Sequence, residues 1–418
     1  MTEMTPKGVR DFLPKDKIVR DRLINVLKMA FEVYGYNPVE TPALERMEIL
    51  ASKFAGGEEI MKEIFKLKDQ GGRELGLRYD LTVPFARLIA MNPELKMPFK
   101  RYQIDRVWRD GPIKLGRYRE FMQADADIVG TKSLLAEAEL LSIAKTVFSK
   151  LNLDIVIEVN NRKLLNKIIE VSGVKDSEAV ILSLDKLEKI GKQGVEKELT
   201  EKGLNKNEIE KIMNFVAADN LEELENKVGK CEGIDELKEL MDLTKKFGVE
   251  IKINPTLARG LSYYTGMVYE GFLKKSKIKS SIFSGGRFDN MIGKLSGKED
   301  MPAVGISFGI DVISDAIKLE EKNETRKSVV QTYIVPIGDV LDDAIEVLQK
   351  LRMSGVKADI DLMNRGISKN LSYANSYKIP FVVFLGQNEV DVKKVKLRDM
   401  EKGEEKLLSV DDVVSLVK

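Results

Sequence analysis

Phe99-Lys100-Arg101-Tyr102-Gln103-Ile104-Asp105-Arg106-Val107-Trp108-Arg109 and Gly116-Arg117-Tyr118-Arg119-Glu120-Phe121-Met122-Gln123-Ala124-Asp125-Ala126-Asp127-Ile128-Val129 alternate polar and apolar side chains along two neighbouring stretches. A period of two belongs to a strand. Asp110-Gly111-Pro112-Ile113-Lys114-Leu115 between them has turn composition, so the segment predicts a β-hairpin with a long tip. Residues of equal parity share a face. One face then carries Arg101, Gln103, Asp105 and Arg109, followed by Arg117, Arg119, Phe121, Gln123, Asp125 and Asp127. The other carries Tyr102, Ile104, Trp108, Tyr118, Met122, Ala124, Ala126 and Ile128, a core-facing set with Arg106 and Glu120 as exceptions. If Arg109 and Arg117 flank the turn as opposed residues, two guanidinium groups meet and repel unless an anion such as a polyphosphate lies between them. Phe121 offers a stacking surface for a base, and Gln123, Asp125 and Asp127 offer acceptors to a cationic or polar small molecule. A solvated face laced by Arg–Asp pairs fits the same alternation, and the pattern alone leaves both open.

Outside the hairpin, 418 residues at roughly 150 per domain predict two or three domains. Hydrophobic residues at 43% and charged residues at 32% place the chain among globular proteins, and no apolar run is long enough for a membrane span. With 68 Lys plus Arg against 67 Asp plus Glu the net charge is +1, so a polyanion must be met by local basic clusters. Cys231 is the single cysteine, which excludes an internal disulfide and a cysteine metal cage. Met1-Thr2-Glu3-Met4-Thr5-Pro6 lacks the basic and apolar regions of a signal peptide, so a cytoplasmic location is expected. The chain contains no histidine. That removes Ser-His-Asp and Cys-His nucleophiles, imidazole metal sites and general acid–base work by a group that titrates near neutrality. What remains is chemistry run on arginine, carboxylates and backbone groups, and phosphate transfer fits that inventory.

Ile18, Val19, Leu23, Ile24, Val26, Leu27, Ala30, Phe31 and Tyr34 recur at helical spacing, and Gly35 stops the helix. Tyr36-Asn37-Pro38-Val39-Glu40-Thr41-Pro42 follows, its two prolines suited to an edge segment. Residues 161–249 read as a mostly helical insertion between two parts of one domain, 1–160 and 250–320. After the charged stretch from Glu320 to Lys327, the β-α-β-α-β rhythm of 328–418 predicts a small α/β domain.

Gly116-Arg117-Tyr118-Arg119-Glu120-Phe121, preceded by Arg109, resembles the second signature motif of class II aminoacyl-tRNA synthetases in its histidyl form. Pro6-Lys7-Gly8-Val9-Arg10-Asp11 resembles the family's N-terminal segment, and the long helix ending in Thr41-Pro42 its dimer-forming first motif. Leu77-Arg78-Tyr79-Asp80-Leu81-Thr82 resembles its amino-acid-binding strand, and Ala258-Arg259-Gly260-Leu261-Ser262-Tyr263-Tyr264-Thr265-Gly266 a segment peculiar to histidyl-tRNA synthetases. The resemblance implies an α+β catalytic domain built on an antiparallel sheet with flanking helices, the helical insertion, and a C-terminal α/β anticodon-binding domain. It implies a homodimer in which ATP, with Mg²⁺, activates histidine for transfer to tRNA(His). It assigns Arg109, Arg117, Phe121 and Arg119 to ATP, and Asp80, Thr82, Gln123, Asp127, Tyr263, Tyr264 and Arg259 to histidine. Arg259 and Arg109 carry catalysis as charges facing the phosphate, and no protein metal site is expected. Asp80 and Thr82 share parity, so one strand face could present both.

Two positions depart from the family pattern. Phe308-Gly309-Ile310-Asp311-Val312 places Val312 where the third motif has arginine, and Ser262 stands where many relatives have aspartate. Arg119 and Arg287 are the candidates for the lost γ-phosphate contact. Val312 also favours the rival reading, a catalytically silent, synthetase-like regulator that binds histidine or uncharged tRNA, which Arg109, Arg259, the insertion and the anticodon-type domain oppose. In the C-terminal domain, Arg352, Lys357, Arg365 and Lys369 are candidate phosphate contacts, and Lys114 at the hairpin tip would approach the acceptor end. Since no enzyme imidazole can titrate, a rate change near pH 6 must come from the substrate or from carboxylates of shifted pKa. The acid limb of a pH–rate profile is therefore expected to move when a pocket carboxylate is replaced by its amide; a limb unmoved by every such replacement and by change of substrate would contradict this.

Overall fold

The computed structural model describes residues 4–51, 61–113, 116–174, 177–184, 186–218, 220–258, 263–297, 301–320 and 326–417. The chain divides into two compact units, residues 1–10 with 23–317 and residues 11–22 with 318–418.

In the larger unit an eight-stranded sheet has the order β1 (Asn37–Pro38), β5 (Phe99–Trp108), β6 (Glu120–Val129), β11 (Ala303–Gly309), β10 (Phe283–Arg287), β9 (Met267–Leu273), β7 (Ile155–Asn161), β8 (Lys252–Ile253). Its interior pairs are antiparallel, and the two edge pairs, β1 with β5 and β7 with β8, are parallel. A separate three-stranded sheet has the order β2 (Leu44–Arg46), β4 (Glu74–Leu77), β3 (Lys66–Lys68). Helix α1 (Pro14–Val33) buries Leu23, Leu27, Ala30 and Phe31, the last stacked on Tyr102 at 5.3 Å between ring centroids. Gly35 ends it with φ +79°, a left-handed turn that a side chain would strain, and Tyr36 donates back to the Phe31 carbonyl at 3.0 Å. The chain then enters β1 at the sheet edge, where Pro38 leaves no inner ladder bond unmade. Also in this unit are α2 (Met47–Leu50), α3 (Thr82–Met91), α4 (Leu135–Lys150) and α11 (Asp289–Ser296).

The hairpin of β5 and β6 sets the frame. Arg101 stands opposite Asp127, Gln103 opposite Asp125, Asp105 opposite Gln123 and Val107 opposite Phe121, so the polar residues do share one face. The register differs from the expected one by two residues. Arg109 donates to the Arg119 carbonyl at 2.9 Å, so it faces Arg119 and not Arg117. A shift of two keeps parity and moves only the partner, because the tip's composition does not say how many residues stay outside the ladder. Toward the middle of the sheet the face is dry, with Arg101, Gln103, Asp125 and Asp127 all buried against the solvated alternative, while Asp105, Arg109, Arg119, Phe121 and Gln123 keep partial access to water and Arg117 is exposed. The exceptions on the other face satisfy each other and their neighbour. Trp108 donates from Nε1 to Glu120 at 2.9 Å, and Arg106 lies 3.6 Å from the same carboxylate.

Between β7 and β8 the described residues form helices α5 (Arg162–Ser172), α6 (Ser177–Leu184), α7 (Leu187–Glu201), α8 (Lys206–Val216), α9 (Leu221–Val228) and α10 (Glu232–Lys246). Asparagine caps three of them: Asn161, Asn205 and Asn220 each accept a backbone N–H of the first turn. Leu165, Val180, Leu184, Leu199 and Ile212 close a local core. Helix α12 (Ile310–Glu320) follows β11.

The smaller unit holds a five-stranded sheet in the order β13 (Ala358–Ile360), β12 (Thr332–Pro336), β14 (Phe381–Leu385), β15 (Val395–Asp399), β16 (Glu405–Leu408). The first three strands are parallel, as the alternation with α13 (Leu341–Met353) and α14 (Ile367–Ser376) demands, and the last two are antiparallel. Helices α15 (Gln387–Asp391) and α16 (Val410–Val417) complete it. Ile334 and Val383 point into one core, and Tyr333, Val335 and Val382 into the other.

Arg287, one candidate for the γ-phosphate, is instead a buried bolt. Its Nε and Nη2 each lie 2.7 Å from the Glu137 carboxylate, and Nη1 donates to the Thr131 carbonyl and to Asp289. Glu137 is wholly buried, so removing it strands a guanidinium charge where water does not reach. Glu137→Leu is expected to cost about 3–5 kcal/mol in urea unfolding, with most of the loss recovered in the Glu137→Leu, Arg287→Met pair. Equal stability of the single variant and the parent would refute the bolt.

Candidate active site

The buried polar face of the hairpin forms one wall of a partly enclosed cavity. Asp80, Thr82, Arg109, Gln123, Asp127, Tyr263 and Tyr264 line it, together with Asp125, Ser307 and the backbone of Gly285, Gly286 and Gly305. Seven of the residues expected at the site thus converge. Phe121 lies beside them, its ring 5.1 Å from the Arg109 guanidinium carbon. Arg117 and Arg119 are held elsewhere, Arg117 on Glu63 at 2.5 Å and Arg119 on Asp110 at 3.1 Å. Arg259, Ser262 and Lys114 lie outside the described residues.

Asp80 and Thr82 reach the cavity by a route other than the expected one. β4 ends at Leu77, and Thr82 is the first residue of α3, so no strand carries the two. Pro84 explains the change: it cannot donate to a ladder, but is tolerated in the first turn of a helix. Asp80 Oδ1 accepts the Val83 N–H at 3.0 Å, holding a carboxylate over the positive end of α3. Burial pushes the Asp80 carboxyl up to about 6, against the pull of the Val83 N–H and the Arg109 charge; Asp125 adds to the rise.

Burial likewise pushes Asp125 and Asp127 up, with Arg101 opposing it in both. Arg101 lies 2.6 Å from Asp127, donates to the Leu81 carbonyl at 3.1 Å and sits over the Phe85 ring. Space for the Asp127 carboxylate comes from the facing strand, since a Cβ on Gly305 would stand 1.8 Å from its Oδ1. Gly286 makes similar room for Tyr264, whose ring atoms would be 2.8 Å from a Cβ there. Tyr263 packs on Tyr264 with centroids 4.7 Å apart and edge-on to Phe288 at 6.1 Å. Arg109 is fixed by donation from Nε to the Tyr79 carbonyl at 3.0 Å; burial pushes its guanidinium down from the usual value and Asp80 pushes it back. The cavity therefore offers carboxylates, an amide, a fixed guanidinium with an aromatic ring near it, and an aromatic pair.

Three functional positions escaped the sequence. Ser307 touches Gln123 and Asp125; alternation in β11 puts it on the face of Gly305 and Gly309, but which strand β11 would join was not readable. Arg78, fully buried, pairs with Asp105 at 2.7 Å and donates to the Thr41 carbonyl at 2.6 Å, clasping the segment before α3 to the hairpin. Arg10 lies 3.3 Å from the Tyr118 ring centre and donates to Asp311 at 2.6 Å, while the other Asp311 oxygen takes the Met122 N–H at 2.9 Å. Asp311 is the neighbour of Val312, so a guanidinium does stand near the third-motif gap.

Comparison with known proteins agrees with this geometry. The family model for histidyl-tRNA synthetase matches residues 8–313, and that for an anticodon binding domain matches residues 331–418. Histidine--tRNA ligase 1 of Bacillus anthracis is 45% identical over 413 residues, covering 96% of each chain. The crystal structure of histidyl-tRNA synthetase from Nostoc sp. PCC 7120 superposes with a TM-score of 0.88 at 32% identity, covering 100% of this chain and 99% of that one. An ATP phosphoribosyltransferase regulatory subunit/histidyl-tRNA synthetase from Bacillus halodurans C shares the fold, with a TM-score of 0.77, 23% identity, and coverage of 92% and 98%. Two family models that together take in nearly the whole length, and relatives named as ligases across it, settle the class: the chain belongs to the histidyl-tRNA synthetase family and is an aminoacyl-tRNA synthetase that uses ATP to join histidine to tRNA.

Proposed function

We propose that the described cavity binds histidine and the α-phosphate of ATP side by side and forms histidyl-adenylate there. The convergence of Asp80, Gln123, Asp127 and Arg109 on one buried cavity carries this reading. Asp80 and Thr82 hold the α-ammonium group, Gln123 and Asp127 accept further N–H groups of histidine, and Tyr263 with Tyr264 flank the imidazole. Arg109 faces the α-phosphate, and Phe121 stacks on the adenine. The attacking group is the substrate's own carboxylate, already ionised, so no enzyme base is needed; an oxygen–phosphorus bond forms as the bond to pyrophosphate breaks. Charge grows on the phosphate oxygens, where a fixed, buried guanidinium acts more strongly than it would in water. Arg259 adds a second such charge on the strength of the family resemblance. With Arg287 committed to Glu137, Arg119 is the remaining candidate of the two for the γ-phosphate, and Arg10 joins it.

Mg²⁺ is proposed to arrive on the triphosphate, bound chiefly by phosphate oxygens and water. Among the described residues no group of three acidic, histidine or cysteine side chains could cage it, so no step is derived through the ion. No described helix is long and apolar enough to cross a membrane, and a cytoplasmic location is the reading adopted. A homodimer is proposed through the end of α1 and the β1 edge, where Met29 and Val33 leave apolar surface exposed. The C-terminal unit is proposed to read the anticodon of tRNA(His). Two of its candidate phosphate contacts are committed to the fold: Arg365 to Asp361, the Tyr333 hydroxyl and the Tyr373 ring, and Arg352 to the Ala358 carbonyl. Lys357 and Lys369 are exposed and carry that role.

Histidine-dependent exchange of pyrophosphate into ATP tests the reading. The parent should exchange robustly and Arg109→Ala should lose roughly 100-fold or more; absence of exchange in the parent would favour the silent regulator. Asp80 must be ionised to hold an ammonium group, and its pKa near 6 means that it is protonated below that value. The KM for histidine is therefore expected to rise as pH falls through about 6. Asp80→Asn should raise KM about tenfold to a hundredfold at neutral pH and leave only the substrate's own titration in the profile. An unchanged profile would remove Asp80 from the ammonium site. Sedimentation velocity at micromolar concentration should find a dimer, and a monomer alone would overturn the edge proposal.

A further inference from the structure

The most constrained polar group in the cavity is one whose role depends on a neighbour. Ser307 of β11 stands opposite Asp125 of β6. Its Oγ lies 2.8 Å from Gln123 Nε2, and its hydroxyl is also hydrogen-bonded to the Asp125 carboxylate. A hydroxyl has one proton to give, and an ionised carboxylate can only accept. Gln123 Nε2 can only donate, so Ser307 accepts from it, and with Asp125 ionised the Ser307 proton goes to that carboxylate. The Gln123 amide is then fixed in one of its two orientations, with Nε2 committed and Oε1 buried without a partner in a residue that lines the cavity. The reverse orientation would turn the amide N–H₂ toward the substrate's N–H donor and leave Asp125, already short of a partner at Oδ1, without the Ser307 proton.

We propose that Asp125 and Ser307 are positioning residues that lock Gln123 as an acceptor-only contact for an N–H donor of the bound amino acid. The proposal rests on the reading of Gln123 as a histidine contact and adds what gives that contact its polarity. Burial pushes the Asp125 carboxyl up, and Arg101, the Ser307 hydroxyl and Arg109 oppose that rise; in the ionised form the line runs from Gln123 through Ser307 to Asp125. The line explains why an extra buried acid is kept next to Asp127: it terminates a chain of donors and need not touch the substrate at all.

The experiment is a double-mutant cycle on the full-length chain, read as separate KM values for histidine and ATP in pyrophosphate exchange. Ser307→Ala should raise the KM for histidine about tenfold and leave that for ATP within about twofold. Gln123→Ala should raise it at least as much, and Ser307→Ala added to Gln123→Ala should do no further harm, because Ser307 acts through Gln123. Ser307→Thr, which restores the hydroxyl, should return the KM toward that of the parent. Losses that add in the double variant, or a Ser307→Ala effect spread equally over histidine and ATP, would overturn the proposal and make Ser307 a packing residue. If Gln123→Ala alone leaves the KM for histidine unchanged, the underlying assignment of Gln123 fails, a result distinct from a failure of the line.

Discussion

Buried negative charge held just short of neutrality is the constraint on which the site depends. Asp80, Asp125 and Asp127 are nearly inaccessible to water, and the guanidinium groups of Arg101, Arg109 and Arg78 only partly offset what burial does to them. Each carboxyl is pushed up by burial, so each would bind a proton more readily than in water. For Asp80 the sign is clear: with a folded pKa near 6, above its unfolded value, its effect on stability is most favourable in acid and is lost as pH rises through about 6. At neutral pH the fold therefore carries an electrostatic cost that an ammonium ligand relieves. A cavity finished by its own salt bridges would be more stable and would have no such use for a cation.

Sterics make that arrangement possible. Asp127 can turn into the cavity because Gly305 stands across from it, and Gly285 can approach because a Cβ there would come 2.1 Å from the Gly305 carbonyl. The strands β6, β11 and β10 are thus drawn together where the acids are, and the side chains that would have filled the space are absent. The buried Arg287–Glu137 pair anchors the end of β10, next to these glycines. Its desolvation makes it a weak source of net stability but a strict one in geometry, since Glu137 alone would be an unmatched buried charge and Arg287 alone would keep only the longer contact to Asp289.

Parity was the part of the site legible in the sequence. Arg101, Gln103, Asp125 and Asp127 share a face because alternation depends only on both segments being strands, and an error of two residues in register leaves it intact. The opposed residue was not legible: Arg109 faces Arg119, and the offset is set by contacts from outside the hairpin, such as the Gly8 carbonyl that takes the Arg119 N–H at 2.9 Å. Asp80 and Thr82 show a different limit. Their spacing of two suits a strand, yet Asp80 precedes a helix whose first turn contains Pro84, and tertiary placement of that helix end brings both to the cavity. Arg287 shows a third: a sequence reports a guanidinium, and only burial beside Glu137 tells that its charge is already matched. The α/β rhythm after residue 328 was readable because crossover connections force parallel pairing, whereas the antiparallel β15 and β16 add nothing to that rhythm.

A chain with no histidine that activates histidine also clarifies what this chemistry requires. The nucleophile is a carboxylate and the leaving group a pyrophosphate, both anions across the working pH range, so proton transfer has no part in the step that makes the mixed anhydride. An enzyme imidazole would add a group titrating beside a substrate whose side chain is itself an imidazole, and both would draw on the same few acceptors. With the enzyme's contribution limited to guanidinium groups that never deprotonate and carboxylates that burial pushes up, the substrate ring is the only imidazole the site has to distinguish. The acceptors Gln123, Asp127 and Asp80 can then be held by fixed contacts, Gln123 by its donation to Ser307, Asp127 by the Arg101 charge and Asp80 by the N–H at the start of α3, without a second titrating ring to disturb them.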